Sequence, residues 1–218
     1  MRDLVIFDCD GVLVDSEGIF ARVLGECLSE ADFPATTEEA LLLGFGKNRD
    51  TLTAAVETRY GRALPDGFFE AMRARTALVL ERELKPIPGV AELLTALPAA
   101  RCVASNGHLQ RVRERLALTG LLRFFDPHVF SATQVAAGKP EPDLFLLAAS
   151  RLRAAPAACT VVEDSVVGVA AAVAAGMPVV GFSGGSHCAD DHADQLFAAG
   201  CSRVFSHMTE LAAYLCDK

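Results

Sequence analysis

Leu4-Val5-Ile6-Phe7-Asp8-Cys9-Asp10-Gly11 opens the chain with four consecutive apolar residues that stop at an acid, with a second acid two positions on and a glycine behind it. An apolar run without polar alternation is the mark of a strand covered on both faces, as in the centre of a parallel sheet. Five more short runs of this kind follow, at 101–105, 128–130, 160–164, 178–182 and 203–205, each ending in polar or glycine-rich residues. Helical patterns at 90–97, 109–118, 142–152, 166–175 and 189–199 separate most of them. Strands alternating with helices of these lengths predict an α/β fold, a doubly wound parallel sheet with a Rossmann-like core.

Residues 16–85 break the rhythm. They are rich in Ala, Leu, Glu and Arg, hold no convincing strand, and are interrupted at Phe33-Pro34, Gly44-Phe45-Gly46 and Tyr60-Gly61. The span is too long for an ordinary connection between a strand and a helix. It predicts an inserted helical cap domain at 16–85, with 1–15 and 86–218 forming the core. Pro86-Ile87-Pro88-Gly89 marks the return, with Gly89 opening the next helix.

Composition narrows the function. Of 218 residues, 51% are hydrophobic and 22% charged, as expected of a compact soluble protein. The net charge of −8, with no dense lysine and arginine stretch, argues against a nucleic-acid or anionic-membrane surface. The apolar start is too short for a signal-peptide core or a membrane span, so a cytoplasmic protein is expected. Seven cysteines without a CxxC pair predict reduced thiols. A monomer is expected.

In an open α/β sheet, ligands bind beyond the carboxyl ends of the strands. The first strand ends in Asp8-Cys9-Asp10-Gly11 and the second in Ser105-Asn106-Gly107; Gly138-Lys139-Pro140 follows the third, and the fourth ends in Glu163-Asp164. Carboxylates gathered so closely repel one another unless a cation sits among them. Oxygen donors without a central histidine or thiolate favour magnesium. Lys139 and the Ser105–Gly107 turn offer an ammonium, a hydroxyl and N–H groups suited to phosphoryl oxygens. On an extended chain Asp8 and Asp10 point the same way, so one carboxylate can attack while the other reaches the leaving group.

These segments resemble the haloacid dehalogenase superfamily of phosphohydrolases. Residues 5–12 are similar to its first motif, Cys102-Val103-Ala104-Ser105-Asn106 to its second, Lys139-Pro140-Glu141-Pro142 to its third and Val161-Val162-Glu163-Asp164-Ser165 to its fourth. Within the superfamily the chain resembles the capped β-phosphoglucomutase-like group, nearest its 6-phosphogluconate phosphatases. The resemblance implies that Asp8 attacks phosphorus and that Asp10 serves as general acid and base. It places magnesium on Asp8, the Asp10 carbonyl and Asp164, with Glu163 either a ligand or an outer support. Ser105, the N–H groups of Asn106 and Gly107, and Lys139 are implied to bind the phosphoryl group. Glu17 and the basic turn with Gly46, Lys47 and Arg49 are implied to meet the substrate, a small phosphorylated metabolite such as a sugar or sugar-acid phosphate.

Two rivals stand beside this reading. A phosphoglucomutase of this group carries a histidine at the start of the cap, where this chain has Glu17-Gly18-Ile19-Phe20. A non-catalytic phospho-acceptor module also places acids at strand ends, but without a cap. Ser186-His187-Cys188-Ala189-Asp190-Asp191-His192 has the residue types of a transition-metal site. It is read instead as a loop leading into a helix, with His187 a candidate for lining the site.

Overall fold

The opening apolar run lies at the heart of the sheet. In the computed structural model, which describes residues 4–45 and 49–217, Leu4–Phe7 form strand β1 and all four side chains are buried. Burial of side chains of this size contributes about 1.5–3 kcal/mol each. Alternate residues face opposite sides of a strand. Leu4 and Ile6 join a cluster with Phe145, Val169 and Leu196. Phe7 instead meets Phe125 edge to face, with ring centroids 6.0 Å apart.

The chain divides into two compact units, residues 16–84 and residues 1–15 with 85–218. Among the described residues, the first holds four helices, α1 (Glu17–Glu30), α2 (Thr37–Gly44), α3 (Arg49–Tyr60) and α4 (Phe68–Glu83). Helix α2 starts with a reciprocal cap: Thr36 Oγ1 accepts from the Glu39 N–H while Glu39 Oε2 accepts from the Thr36 N–H. Val23, Leu24, Leu28, Phe33, Leu52 and Val56 form a core belonging to this unit alone.

The second unit continues with α5 (Val90–Ala96), β2 (Ala100–Ser105), α6 (Leu109–Leu118), β3 (Val129–Ser131) and α7 (Asp143–Arg151). It is completed by β4 (Cys159–Glu163), α8 (Val166–Ala174), β5 (Val179–Phe182), α9 (His192–Ala199), β6 (Val204–Phe205) and α10 (Met208–Cys216). Helix α10 lies beyond the helices expected from the sequence pattern, although Met208, Leu211 and Leu215 give it a buried stripe. The six strands are parallel, in the order β3-β2-β1-β4-β5-β6. The fold is the expected doubly wound α/β sheet.

Sheet order and register place the chemistry. The chain moves from β1 out to β3 and then returns to the other side of β1 as β4, so the winding reverses at the β1–β4 pair. A crevice forms beyond the carboxyl ends at such a reversal. Phe7 pairs with Val162, and the Asp8 N–H extends the ladder to the Val162 carbonyl at 3.0 Å. Asp8 and Glu163 therefore leave neighbouring strands at the same level. Ser105 and Ser131, at the ends of β2 and β3, are paired on the other side.

Candidate active site

Asp8 projects from the end of β1 into a turn that backbone bonds close tightly. The Gly11 N–H donates to the Val14 carbonyl, and the Leu13 and Val14 N–H groups both donate to Cys9. Gly11 takes φ +80°, a conformation that costs a side-chain-bearing residue dearly. A Cβ on it would also stand 1.9 Å from Asp164 Oδ2 and 2.8 Å from the His187 ring. Gly11→Ala is therefore expected to reduce turnover by at least about tenfold through displacement of Asp164. A steady-state assay read beside the thermal melt of the variant checks this.

Lys139 ties three strand ends together. Its Nζ donates to Asp8 Oδ1 at 2.6 Å and to Glu163 Oε1 at 2.5 Å, with the lysine side chain only 3% exposed. Burial opposes the charge on Lys139, but the Asp8 and Glu163 carboxylates outweigh it and hold the ammonium above its usual range. The Lys139 backbone is fixed from the second strand end. Asn106 Nδ2 donates to the Lys139 carbonyl at 3.0 Å, and the Lys139 N–H donates to Asn106 Oδ1 at 2.8 Å. The Asn106 amide side chain is thus a clamp on Lys139, which leaves the Asn106 backbone N–H as the group expected to meet phosphate.

Glu163 is fully buried and heavily hydrogen-bonded. Its Oε2 accepts from the Asp164 N–H, the Ser165 N–H and the Ser165 hydroxyl at 3.0–3.1 Å, while Oε1 faces Lys139. Ser165 also caps α8 through the Gly168 N–H at 3.0 Å. A Cβ at Gly168 would stand 1.9–2.3 Å from the Glu163 carboxyl atoms. Gly168→Ala is expected to destabilise the protein by about 1–3 kcal/mol, since the carboxyl group must move from its donors. Urea unfolding measures this.

Asp8, Glu163 and Asp164 each offer a carboxylate oxygen, and these oxygens lie within 4.8 Å of one another. Burial, followed by repulsion from the other acids, raises both Asp8 and Asp164 well above the usual carboxylate range, although Lys139 opposes the rise at each. One ammonium thus serves three buried acids. A divalent cation with oxygen ligands would relieve that imbalance, so this donor set fits a hard metal ion.

The remaining residues are placed as follows. Ser105 is buried at the end of β2, and its Oγ accepts from the Gly107 N–H at 3.1 Å. Binding a phosphoryl oxygen with that N–H would require this local bond to be exchanged. Asp10 pairs through Oδ1 with Arg115 of α6, a residue 105 positions away that no short-range motif reveals. Asp164 is held by His187 of the loop after β5 and by His192 at the start of α9, whose approach no spacing rule discloses. In the helical unit, Glu17 begins α1. Arg49 begins α3 and is exposed, 3.4 Å from Glu70 and 4.6 Å over the Phe69 ring. Gly46 and Lys47 lie outside the described residues.

The sequence pattern of the haloacid dehalogenase-like hydrolases matches residues 2–176. The chain belongs to this family. It is 31% identical over 210 residues to the 6-phosphogluconate phosphatase of Escherichia coli (strain K12), covering 96% of this chain and 92% of that protein. A haloacid dehalogenase-like protein of unknown function from Agrobacterium tumefaciens superposes with a TM-score of 0.91 at 40% identity, over 99% of this chain and 98% of the other. A family hydrolase from Deinococcus radiodurans, with bound phosphate and sodium, superposes with a TM-score of 0.85 at 34% identity, over 98% and 94%. This haloacid dehalogenase-like chain is an enzyme of the phosphatase class. Among the described residues, no helix is long and apolar enough to cross a membrane.

Proposed function

We propose that the chain is a magnesium-dependent, cytoplasmic phosphatase of a small phosphorylated sugar or sugar acid, such as 6-phosphogluconate, with Asp8 as nucleophile. The observation that carries this reading is the Lys139 ammonium set between Asp8 and Glu163 with the Asp164 carboxylate alongside. Such a cluster presents a nucleophile, a fixed cation and spare acid oxygens at one point. The Asp8 carboxylate attacks phosphorus, the bond to the leaving alcohol breaks, and an aspartyl-phosphate forms. Asp10 gives its proton to the departing oxygen and then takes one from the water that cleaves the intermediate. Its Oδ1 is engaged by Arg115, so it reaches the leaving group with Oδ2 or after that ion pair opens.

Asp8, the Asp10 carbonyl and Asp164 would hold the magnesium, whose chemistry is to offset the negative charge of the phosphoryl oxygens. Glu163 acts as support, because both of its oxygens already accept hydrogen bonds. Lys139 and the Ser105 hydroxyl bind the phosphoryl group, together with the Asn106 and Gly107 N–H groups. Substrate choice is assigned to Glu17, Gly46, Lys47 and Arg49, as the family resemblance implies.

Phosphate release from a panel of sugar and sugar-acid phosphates tests the reading. Release is expected with magnesium, is lost on adding a chelator and returns when magnesium is restored in excess. Turnover untouched by chelation, or isomerisation of a sugar phosphate that depends on its bisphosphate, would overturn it.

A further inference from the structure

Asp164 is gripped at two points, by His187 from the loop after β5 and by His192 at the start of α9. His187 Nε2 lies 2.9 Å from Asp164 Oδ2, with the two side chains 1% and 3% exposed. His192 Nε2 lies 2.6 Å from the Asp164 main-chain oxygen. A carbonyl and a carboxylate only accept, so each ring presents an Nε2–H donor to Asp164. The two rings pack edge to face with centroids 5.6 Å apart.

The surroundings are shaped for this grip. A Cβ at Gly185 would stand 2.6 Å from the His187 ring, and one at Gly11 2.8 Å from it, so glycine on both sides makes room for the imidazole. The loop is also fastened to the β1 turn, because the Ser186 N–H and hydroxyl both donate to Asp15 Oδ1, at 3.1 and 2.7 Å. His187 is thus held by its neighbours, and it in turn holds one oxygen of Asp164.

We propose that His187 and His192 are positioning residues that fix the Asp164 carboxylate for the divalent cation. The proposal rests on Asp164 being a metal ligand, as in the proposed function. Side chains that orient a metal ligand from behind commonly change metal affinity by roughly 10–100-fold when removed. The competing use of this cluster is chelation, since ligand atoms of His187, Cys188 and His192 lie within 4.8 Å of one another. Geometry favours the clamp: both Nε2 atoms already face Asp164, while Cys188 Sγ is 3.4 Å from His187 Nε2. A soft cation coordinated at that nitrogen would have to strip His187 from the acid.

Calorimetric titration of the metal-free full chain with magnesium alone, without substrate, tests the clamp. His187→Leu and His192→Leu are each expected to weaken magnesium binding by about 10–100-fold. His187→Gln, which retains an N–H donor, recovers most of the affinity, whereas a loss equal to that of His187→Leu would overturn the proposal. Cys188→Ser binds magnesium as the unaltered chain does. A Cys188-dependent tight site for zinc alone, with magnesium binding indifferent to His187, would make the cluster a chelate and overturn the clamp. Asp164→Asn separates the two layers of inference. If it binds magnesium normally, the ligand assignment has failed; if it loses binding while His187→Leu does not, the clamp has failed.

Discussion

Asp8→Asn is expected to lower phosphate release by at least about 10³-fold with magnesium and substrate saturating, because the attacking oxygen is replaced by an amide that does not attack phosphorus. The substitution is nearly isosteric. The side chain it replaces is buried against Lys139, whose ammonium still has Glu163 at 2.5 Å, so the fold is expected to survive. Loss of one of three adjacent buried acids also removes repulsion from Glu163 and Asp164. A circular-dichroism melt in chelator should therefore show no drop in Tm comparable to the loss of activity. Trapping the phosphorylated protein with acid after brief mixing gives the second readout: label on the unaltered chain and none on Asp8→Asn. Turnover by Asp8→Asn within tenfold of the unaltered chain would remove the covalent step from the mechanism.

The expectation for Asp8 was accessible from the chain alone for a physical reason. A strand buried on both faces must be apolar throughout, so its end is abrupt, and the first acids after it mark the rim of the sheet. The same contrast reveals Ser105 and Glu163-Asp164. Lys139 lacks a strand immediately before it, yet Gly138-Lys139-Pro140 follows the third strand after a short link, which places it at the same rim. What stayed hidden was every pairing between side chains distant in sequence. Arg115 sits beside Leu116 on an ordinary amphipathic helix, and only the packing of α6 against the sheet brings its guanidinium to Asp10. Asn106 reads as a turn residue, yet its side chain grips a backbone 33 positions on.

The histidine loop illustrates the limit differently. Its composition suggested a metal site, and its position after a strand suggested proximity to the rim. Neither could show that both imidazoles are directed at Asp164. That outcome depends on the absence of a Cβ at Gly11 and Gly185 and on the Asp15 tether, features from opposite ends of the sequence that only the fold brings together.

Lys139→Met carries the larger expected effect on stability. Methionine approximates the volume of the lysine stem, so the change removes charge without opening a cavity. The lost ammonium contacts Asp8 at 2.6 Å and Glu163 at 2.5 Å, and Glu163 is inaccessible to solvent. Breaking a buried pair by deleting one partner costs about 3–5 kcal/mol, because the remaining charge has neither water nor a counter-ion. For a chain of this size that corresponds to a fall in Tm on the order of 10 °C in chelator. Magnesium then becomes the main positive charge at the cluster, so it is expected to raise the Tm of Lys139→Met by more than it raises that of the unaltered chain. Lys139→Arg should not restore activity, since a planar guanidinium cannot occupy the point between two carboxylates that a compact ammonium fills. Phosphate release by Lys139→Met is expected to fall by about 10²–10³-fold even with magnesium in excess, as for loss of one preorganised charge at a developing oxyanion. Equal Tm values for Lys139→Met and the unaltered chain in chelator would show that the three acids do not depend on the ammonium.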